Sequence, residues 1–281
     1  MNTIKSLLII ASNRLLTCSD SAMLDAEVLL CHVLNKQRSY LRAWPEHFLS
    51  EKQVQAFEQL LQQRCTGIPI AYLTGNREFW SRNFIVTNDV LIPRPATECL
   101  IEFCLDIIPT DKNYTIADLG TGSGIIAVTL AAECPNVQII ASDLSLQALV
   151  IARKNANQYQ LTNINFYQSD WFISIPKQLF NLIISNPPYI AETDPHLKQG
   201  DVRFEPISAL IANEQGLADI KKIVSEARFW LKPEGHLLIE HGYNQQDAVK
   251  SIFQTLSYSK IKTIHDLSGQ PRATYGQFVN F

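Results

Sequence analysis

A glycine-rich turn constrains this chain more than any other stretch. Asp118-Leu119-Gly120-Thr121-Gly122-Ser123-Gly124 lies between residues 115–119, which read as a buried strand, and residues 125–133, which read as a helix. Glycines at such a junction let the backbone approach a ligand and adopt conformations barred to other residues. The dinucleotide fingerprint G-x-G-x-x-G would need a glycine where Ile125 stands, so a hydride-transferring dehydrogenase is disfavoured. No Gly-Lys-Ser/Thr follows, which excludes a P-loop. Asp143 comes 23 residues after Gly120, at the end of the next strand-like run, 137–142. A carboxylate at that place suits the vicinal diol of a ribose. Capping of the following helix is the simpler role, and the two can coexist.

Strand and helix alternate from there to the end. Residues 146–157 read as helix, 165–168 and 179–185 as strands, 217–231 as helix and 237–240 as strand, with further strands at 260–265 and 274–279. This alternation implies an α/β fold, a mainly parallel sheet with helices on both faces. Residues 1–75 read instead as a small all-helical domain. Leu7, Leu8, Ala11, Leu15 and Leu16 recur at helical spacing, and Asp20 or Ser21 caps a helix carrying Leu24, Val28 and Leu29. Pro45 ends a short third helix after Trp44, and Ser50-Glu51-Lys52-Gln53 is a capping box ahead of Val54, Phe57 and Leu61. Residues 76–92 read as a β-hairpin linker, with Glu78-Phe79-Trp80 and Phe84-Ile85-Val86 as strands and Ser81-Arg82-Asn83 between them. Residues 93–281 form the second domain, entered through Pro93 and Pro95 and a helix near 96–108.

Composition narrows the partners. Net charge is −3, with seven basic and six acidic residues through Gly75 and seventeen and twenty-one beyond it, so neither part is a basic nucleic-acid module. The six cysteines, at 18, 31, 65, 99, 104 and 134, contain no C-x-x-C and no zinc-like spacing; reduced thiols and no metal are expected. Asn13 and Arg14 interrupt the apolar run that begins at Leu7, which argues against a signal peptide. No run approaches the roughly 20 apolar residues of a membrane span. A cytoplasmic protein without membrane attachment is expected.

A ribose acceptor without phosphate machinery suggests S-adenosylmethionine. Its amino-acid end would meet the glycine turn, its ribose Asp143, and its adenine the loop Ser169-Asp170-Trp171-Phe172. There Asp170 would accept from the adenine amino group, or a side chain or backbone amide of the loop would bind the ring, and Trp171 would line the site. Asn186-Pro187-Pro188-Tyr189 follows the apolar run Leu182-Ile183-Ile184, 62 residues after Gly124. Two prolines cannot continue a central strand, so the chain leaves the sheet at its carboxyl end, where open α/β sheets bind ligands. Proline fixes φ and holds the nearby carbonyls. The Asn186 side chain and the Pro187 carbonyl then offer two acceptors to one –NH2 group, a planar amide or an exocyclic amine, and Tyr189 would pack on its plane. Acceptors on both N–H bonds favour a pyramidal nitrogen with its lone pair aimed at the sulfonium methyl; the proton leaves after transfer. Such positioning is worth up to roughly 7–11 kcal/mol.

Together these motifs resemble the bacterial release-factor glutamine methyltransferases of the HemK/PrmC type. Pro93-Arg94-Pro95, Thr97-Glu98, Arg203-Phe204-Glu205-Pro206 and Glu240-His241-Gly242 extend the resemblance over the whole chain. N-P-P-Y alone is shared with DNA adenine and RNA guanine amino-methyltransferases. The resemblance implies a Rossmann-like methyltransferase domain behind the helical one, with S-adenosylmethionine as cofactor and S-adenosylhomocysteine as product. It implies transfer to the Gln side-chain amide (N5) in the Gly-Gly-Gln loop of class I peptide chain release factors, in translation termination. Carried over by position, Gly120, Thr121, Gly122, Ser123, Gly124, Asp143, Trp171 and Asn186 would bind the cofactor. Asn186, Pro187, Pro188 and Tyr189 would hold the Gln, with Asn186, Pro187 and Tyr189 catalytic. The helical domain would help dock the release factor; no nucleic acid is needed, and a monomer is expected. The family usually has an acidic residue where this chain has Ala96, so no carboxylate role transfers there.

Other readings are a ribosomal-protein glutamine methyltransferase, a nucleic-acid amine methyltransferase, and a cofactor-binding scaffold without turnover. Glu240 and His241 are read as structural, since amide methylation needs no strong base before transfer. Residues 190–213 lack periodicity and read as a lid or partner-contact segment; Arg203 and Glu205 in it pair with each other or with the partner.

Overall fold

The structure, a computed structural model, describes residues 2–279. The chain forms two compact units. One runs through Asn76 and takes in Lys198–Phe204; the other comprises Arg77–Leu197 and the chain from Glu205 onward.

The first unit is helical: α1 (Ile4–Leu15), α2 (Ala22–Leu34), α3 (Arg38–Ala43), α4 (Glu51–Cys65) and α5 (Ile70–Thr74). Capping boxes start two of these helices. Thr3 and Ser6 exchange side-chain and backbone bonds ahead of α1, and Ser50 and Gln53 do so ahead of α4. Ile4, Leu7, Ala11 and Leu15 of α1 pack with Ala26, Leu29 and Leu30 of α2 and Phe57 and Leu61 of α4. The face of α2 differs from the sequence reading: Leu24 is exposed and Val28 half-buried. Ala22–Leu34 is apolar almost all round, so spacing selects no single face. Ser21 sits at its N-cap without a capping bond and donates to Asp25 instead. Asp25 is buried against Arg64 of α4 at 2.8 Å. Arg64 also reaches Asp201 at 3.4 Å, and the Arg203 guanidinium fills the place where a side chain at Gly67 would sit.

The second unit opens within the hairpin of β1 (Asn76–Phe79), whose first residue closes the helical unit, and β2 (Arg82–Ile85). Its turn is Trp80-Ser81, both in the left-handed region at φ +51° and +56°, not the three residues 81–83. Two left-handed residues match the twist of paired strands better than a three-residue loop. There follow α6 (Glu98–Ile107), β3 (Tyr114–Leu119), α7 (Ile125–Glu133), β4 (Val137–Asp143), α8 (Leu146–Gln158), β5 (Ile164–Gln168), β6 (Phe180–Ser185), a single turn α9 (Asn213–Gly216), α10 (Ala218–Ala227), β7 (Leu231–Glu240), α11 (Gln246–Thr255), β8 (Ser259–His265) and β9 (Pro271–Gln277). The hairpin packs on α8: buried Asn155 bonds Ile85 N–H and C=O and also the Ser123 carbonyl, tying hairpin, helix and glycine turn together.

The sheet order is β5-β4-β3-β6-β7-β9-β8. The first five strands are parallel and β9 runs antiparallel to both neighbours. This is the expected α/β arrangement. Alternate residues build its two cores: Ile116, Leu182 and Leu238 face α6 and α7, while Ala117, Ile183 and Leu237 face α10 and α11. Two boundaries depart from the sequence reading. β7 starts at Leu231, where a helix was expected to end, because Lys232-Pro233-Glu234-Gly235 is carried by a bulge between the pairs Phe180–Leu231 and Leu182–His236. Helix α11 was not anticipated; it buries only Val249 and Phe253. Among the described residues no helix is long and apolar enough to cross a membrane.

Strand order reverses between β3 and β6, which leads the chain away to either side. The carboxyl ends of these two strands frame a crevice.

Candidate active site

The glycine turn begins where β3 ends. Asp118 is fully buried there; its Oδ2 accepts the Thr121 hydroxyl at 2.6 Å and the Ala127 N–H at 3.2 Å, and its Oδ1 has no partner among the described residues. Burial pushes its carboxyl up to about 7. Gly120 and Thr121 both donate to the Ser142 carbonyl of β4, at 2.8 and 2.9 Å. At Gly122 φ is +56° and an added Cβ would meet nothing, so the turn presents bare backbone to open space. Gly124 serves packing instead: a Cβ there would lie 3.2–3.3 Å from Ala152 and Val128.

Asp143 Oδ2 accepts the Gly122 N–H at 2.8 Å and its Oδ1 the Ser145 N–H at 2.9 Å. Burial raises its pKa, against the pull of these backbone donors. Each oxygen keeps a lone pair for a further donor. The helix cap proper is Ser145, which accepts the Ala148 N–H.

A cavity of about 670 Å³ gathers these residues. Gly120, Thr121, Gly122, Ser123, Asp143, Ser169, Asp170, Trp171, Asn186 and Pro188 line it, with residues 88–91, Thr97, Asp219 and Lys222. Gly124, Pro187 and Tyr189 stand outside the lining. Asp170 does not present a free carboxylate: Lys222 Nζ bonds both its oxygens at 2.9 Å. Trp171, in the left-handed region, packs beside Gly120, and its side chain bonds Asp219.

At the end of β6 the Ser185 hydroxyl donates to the Leu119 carbonyl at 2.6 Å, locking β6 to β3 just before the two prolines. Asn186 Nδ2 donates to Thr97 Oγ1 at 3.5 Å. The Tyr189 hydroxyl donates to Glu240 Oε1 at 3.4 Å, and its carbonyl accepts Gln245 Nε2 at 3.0 Å. Tyr189 therefore supports the segment from behind, where sequence reasoning had it facing the planar group. Arg94 pairs with the buried Glu205, whose other oxygen accepts the Ile92 N–H at 3.2 Å. Glu205 thus pairs with Arg94, not with Arg203, which lies over the Phe204 ring at 4.8 Å. His241 bonds the Gly242 carbonyl and the Thr274 hydroxyl, both at 2.9 Å, and burial lowers its pKa.

Residues 6–75 match the PrmC N-terminal domain family, and residues 96–201 match the methyltransferase small domain family. The release factor glutamine methyltransferase of Vibrio cholerae is 49% identical over 261 residues, 92% of this chain and 91% of its own. That of Escherichia coli K12 is 46% identical over 263 residues, 94% and 95% of the two chains. The chain belongs to the release factor glutamine methyltransferase family. Among solved structures, a methyltransferase from Pyrococcus furiosus shares the fold at TM-score 0.54 and 14% identity, over 79% of this chain and 98% of its own. The hMettl16 catalytic domain does so at TM-score 0.58 and 16% identity, over 79% and 82%.

As a member of this methyltransferase family the chain is an enzyme. Sequence reasoning passed over Lys222 and Asp219, which hold the Asp170–Trp171 loop, and gave no role to Thr97 or Glu240 behind Asn186. Only Thr97 and Glu240 left a signal, as parts of Thr97-Glu98 and Glu240-His241-Gly242.

Proposed function

We propose that this chain transfers a methyl group from S-adenosylmethionine to the side-chain amide nitrogen of the Gln in the Gly-Gly-Gln motif of class I peptide chain release factors. The observation that carries this reading is one cavity reaching from Gly122 and Asp143 to Asn186, in a chain 46–49% identical to proteins named for that substrate.

The residues fit the cofactor. Gly122 leaves open space above the turn, and Asp143 keeps lone pairs for ribose hydroxyls. Trp171 offers a ring face to adenine, while the Lys222 pair leaves Asp170 lone pairs or nearby backbone to meet the adenine amine. When bound, the cofactor supplies a methyl group on a positively charged sulfur. Asn186 Oδ1 and the Pro187 carbonyl accept the two N–H bonds of the Gln amide and orient its nitrogen toward that methyl group. Pro187 and Pro188 hold both acceptors by fixing φ. Alignment of this kind supplies up to roughly 7–11 kcal/mol, so no covalent nucleophile is needed.

The helical unit is the docking element of this proposal; it presents Ile9, Ile10, Met23 and Leu24 to solvent. A release-factor substrate implies a cytoplasmic enzyme, and one cavity within one chain is consistent with a monomer. The test is mass spectrometry of the Gly-Gly-Gln peptide after incubation of purified release factor with enzyme and cofactor. A gain of one methyl group on Gln is expected. Methylation of ribosomal protein, tRNA or DNA in preference to release factor, or cofactor binding without transfer to any of them, overturns it.

A further inference from the structure

The loop after β5 carries a carboxylate that is held from another element. Among the described residues the Asp170 side chain bonds Lys222 alone, and Lys222 Nζ donates to both its oxygens at 2.9 Å. The backbone around Asp170 is already tied. Ser169 N–H donates to the Asp143 carbonyl at 3.0 Å, Ile173 N–H to the Asp170 carbonyl at 3.1 Å, and Ser174 N–H to the Ser169 hydroxyl at 2.9 Å. Lys222 stands on a firm base, because Ile220, Ile223, Val224 and Ala227 bury another face of α10 in the sheet core. Asp170, Lys222 and Asp219, one turn earlier on α10, all line the cavity.

We propose that Lys222 is a specificity-determining residue for the base of the cofactor: it aims the Asp170 carboxylate so that the site takes a purine with a 6-amino group and rejects its 6-oxo counterpart. This rests on the functional reading above, in which the loop meets the adenine of S-adenosylmethionine.

Donor and acceptor roles carry the argument. A carboxylate only accepts. An exocyclic amine offers it N–H donors, whereas a 6-oxo group sets oxygen against oxygen. Discrimination therefore depends on where the carboxylate points. With the loop backbone tied, the freedom left to Asp170 is in its side-chain torsions, and an ammonium bonded to both oxygens removes it. Each oxygen keeps a lone pair for a further donor.

The pair is not there for the stability of the fold. The Lys222 and Asp170 side chains are 36% and 43% exposed, and ion pairs so open to water contribute little. Lys222 also keeps two carboxylates apart. Burial is the largest influence on Asp219 and raises its pKa, while Lys222 lowers it and the Asp170 charge raises it further. Among the described lining residues the other cation is Arg94, which is committed to Glu205. Without Lys222, Asp170 and Asp219 are left as neighbouring like charges, and Asp170 turns to solvent.

The experiment titrates the whole enzyme calorimetrically with S-adenosylhomocysteine and with S-inosylhomocysteine, its 6-oxo counterpart. Wild type binds the adenosyl ligand about 10- to 100-fold more tightly, the scale set by a hydrogen bond to a charged group. In Lys222→Met the preference shrinks to a few-fold. Adenosyl affinity falls and inosyl affinity does not, which also shows that the site is folded. Asp170→Ala loses the preference to the same extent, and Lys222→Met added to it changes neither affinity further. Equal weakening of both ligands in Lys222→Met, or a preference that survives in it, overturns the proposal. So does a further loss when Lys222→Met is added to Asp170→Ala, since Lys222 would then meet the base itself. A wild type that binds neither ligand overturns the cofactor reading on which the proposal rests. Base-selective binding that depends on Lys222, without methylation of release factor, overturns only the substrate named above and supports the role of Lys222.

Discussion

Asp143 Oδ2 accepts the Gly122 N–H at 2.8 Å, so the carboxyl end of β4 holds the middle glycine of the turn that leaves β3. One side chain thereby shapes the backbone cradle and, in the function proposed above, offers lone pairs to a ribose. Asp143→Asn puts an –NH2 group against either the Gly122 or the Ser145 donor. Hydrogen bonds to charged groups contribute about 1.5–3 kcal/mol, so cofactor affinity is expected to fall about 10- to 100-fold. Calorimetric titration with the cofactor checks this; an unchanged dissociation constant would rule out the ribose role.

Asn186→Ala separates binding from transfer. Asn186 lines the cavity, and among the described residues its side chain bonds only Thr97, at 3.5 Å. Its removal is expected to reduce methylation of release factor by about 100-fold while cofactor affinity changes little. Equal losses in the two measurements would show that the acceptor role is misassigned.

These parts were legible in the sequence because their chemistry is local. The glycines, the strand that precedes them and the two prolines state their own backbone needs within a few residues. Asp143 was readable from its distance to Gly120. The rest depends on residues that meet only in the fold. Lys222 closes on Asp170 from α10, 52 positions along the chain, and nothing in either segment announces it. Glu240 reads as a strand end until β7 lies beside β6 and brings it under Tyr189. Helix α11 was missed because its first turn is Gln246-Asp247-Ala248, with buried anchors only at Val249 and Phe253.

The helical unit holds a buried ion pair whose loss is measurable. Arg64 and Asp25 meet at 2.8 Å with side chains 10% and 8% exposed, and Ser19 and Ser21 also donate to Asp25. Removing one partner leaves an uncompensated buried charge and costs about 3–5 kcal/mol, whereas replacing both with apolar residues is often neutral. Arg64→Met is therefore expected to lower the denaturation midpoint markedly, and Arg64→Met with Asp25→Leu to recover much of it. Equal midpoints for wild type and Arg64→Met would show that the pair contributes no stability.

Asp118 links stability to pH with a definite sign. Burial raises its carboxyl from 3.8 to about 7, so the folded state holds a proton that the unfolded chain has already released across that range. Stability from this group is complete below the unfolded value and is lost as pH rises through the folded one. Glu240, raised from 4.5 to about 7, acts in the same direction. His236 and His241, both lowered by burial, act oppositely as pH rises toward their ordinary value of 6.5, while Asp194 and Asp266 are held low by their hydrogen-bond partners and titrate below this window. A comparison with Asp118→Asn cancels these other groups. An Asn carbonyl can keep the Thr121 and Ala127 bonds, and its –NH2 group takes the place of the unpartnered Oδ1 without a charge. Between pH 5 and 8 the variant is expected to gain Tm relative to wild type, with most of the gain reached by about pH 7. Thermal unfolding of the two proteins in parallel across that range measures it, and a constant Tm difference would mean that Asp118 is ionised throughout.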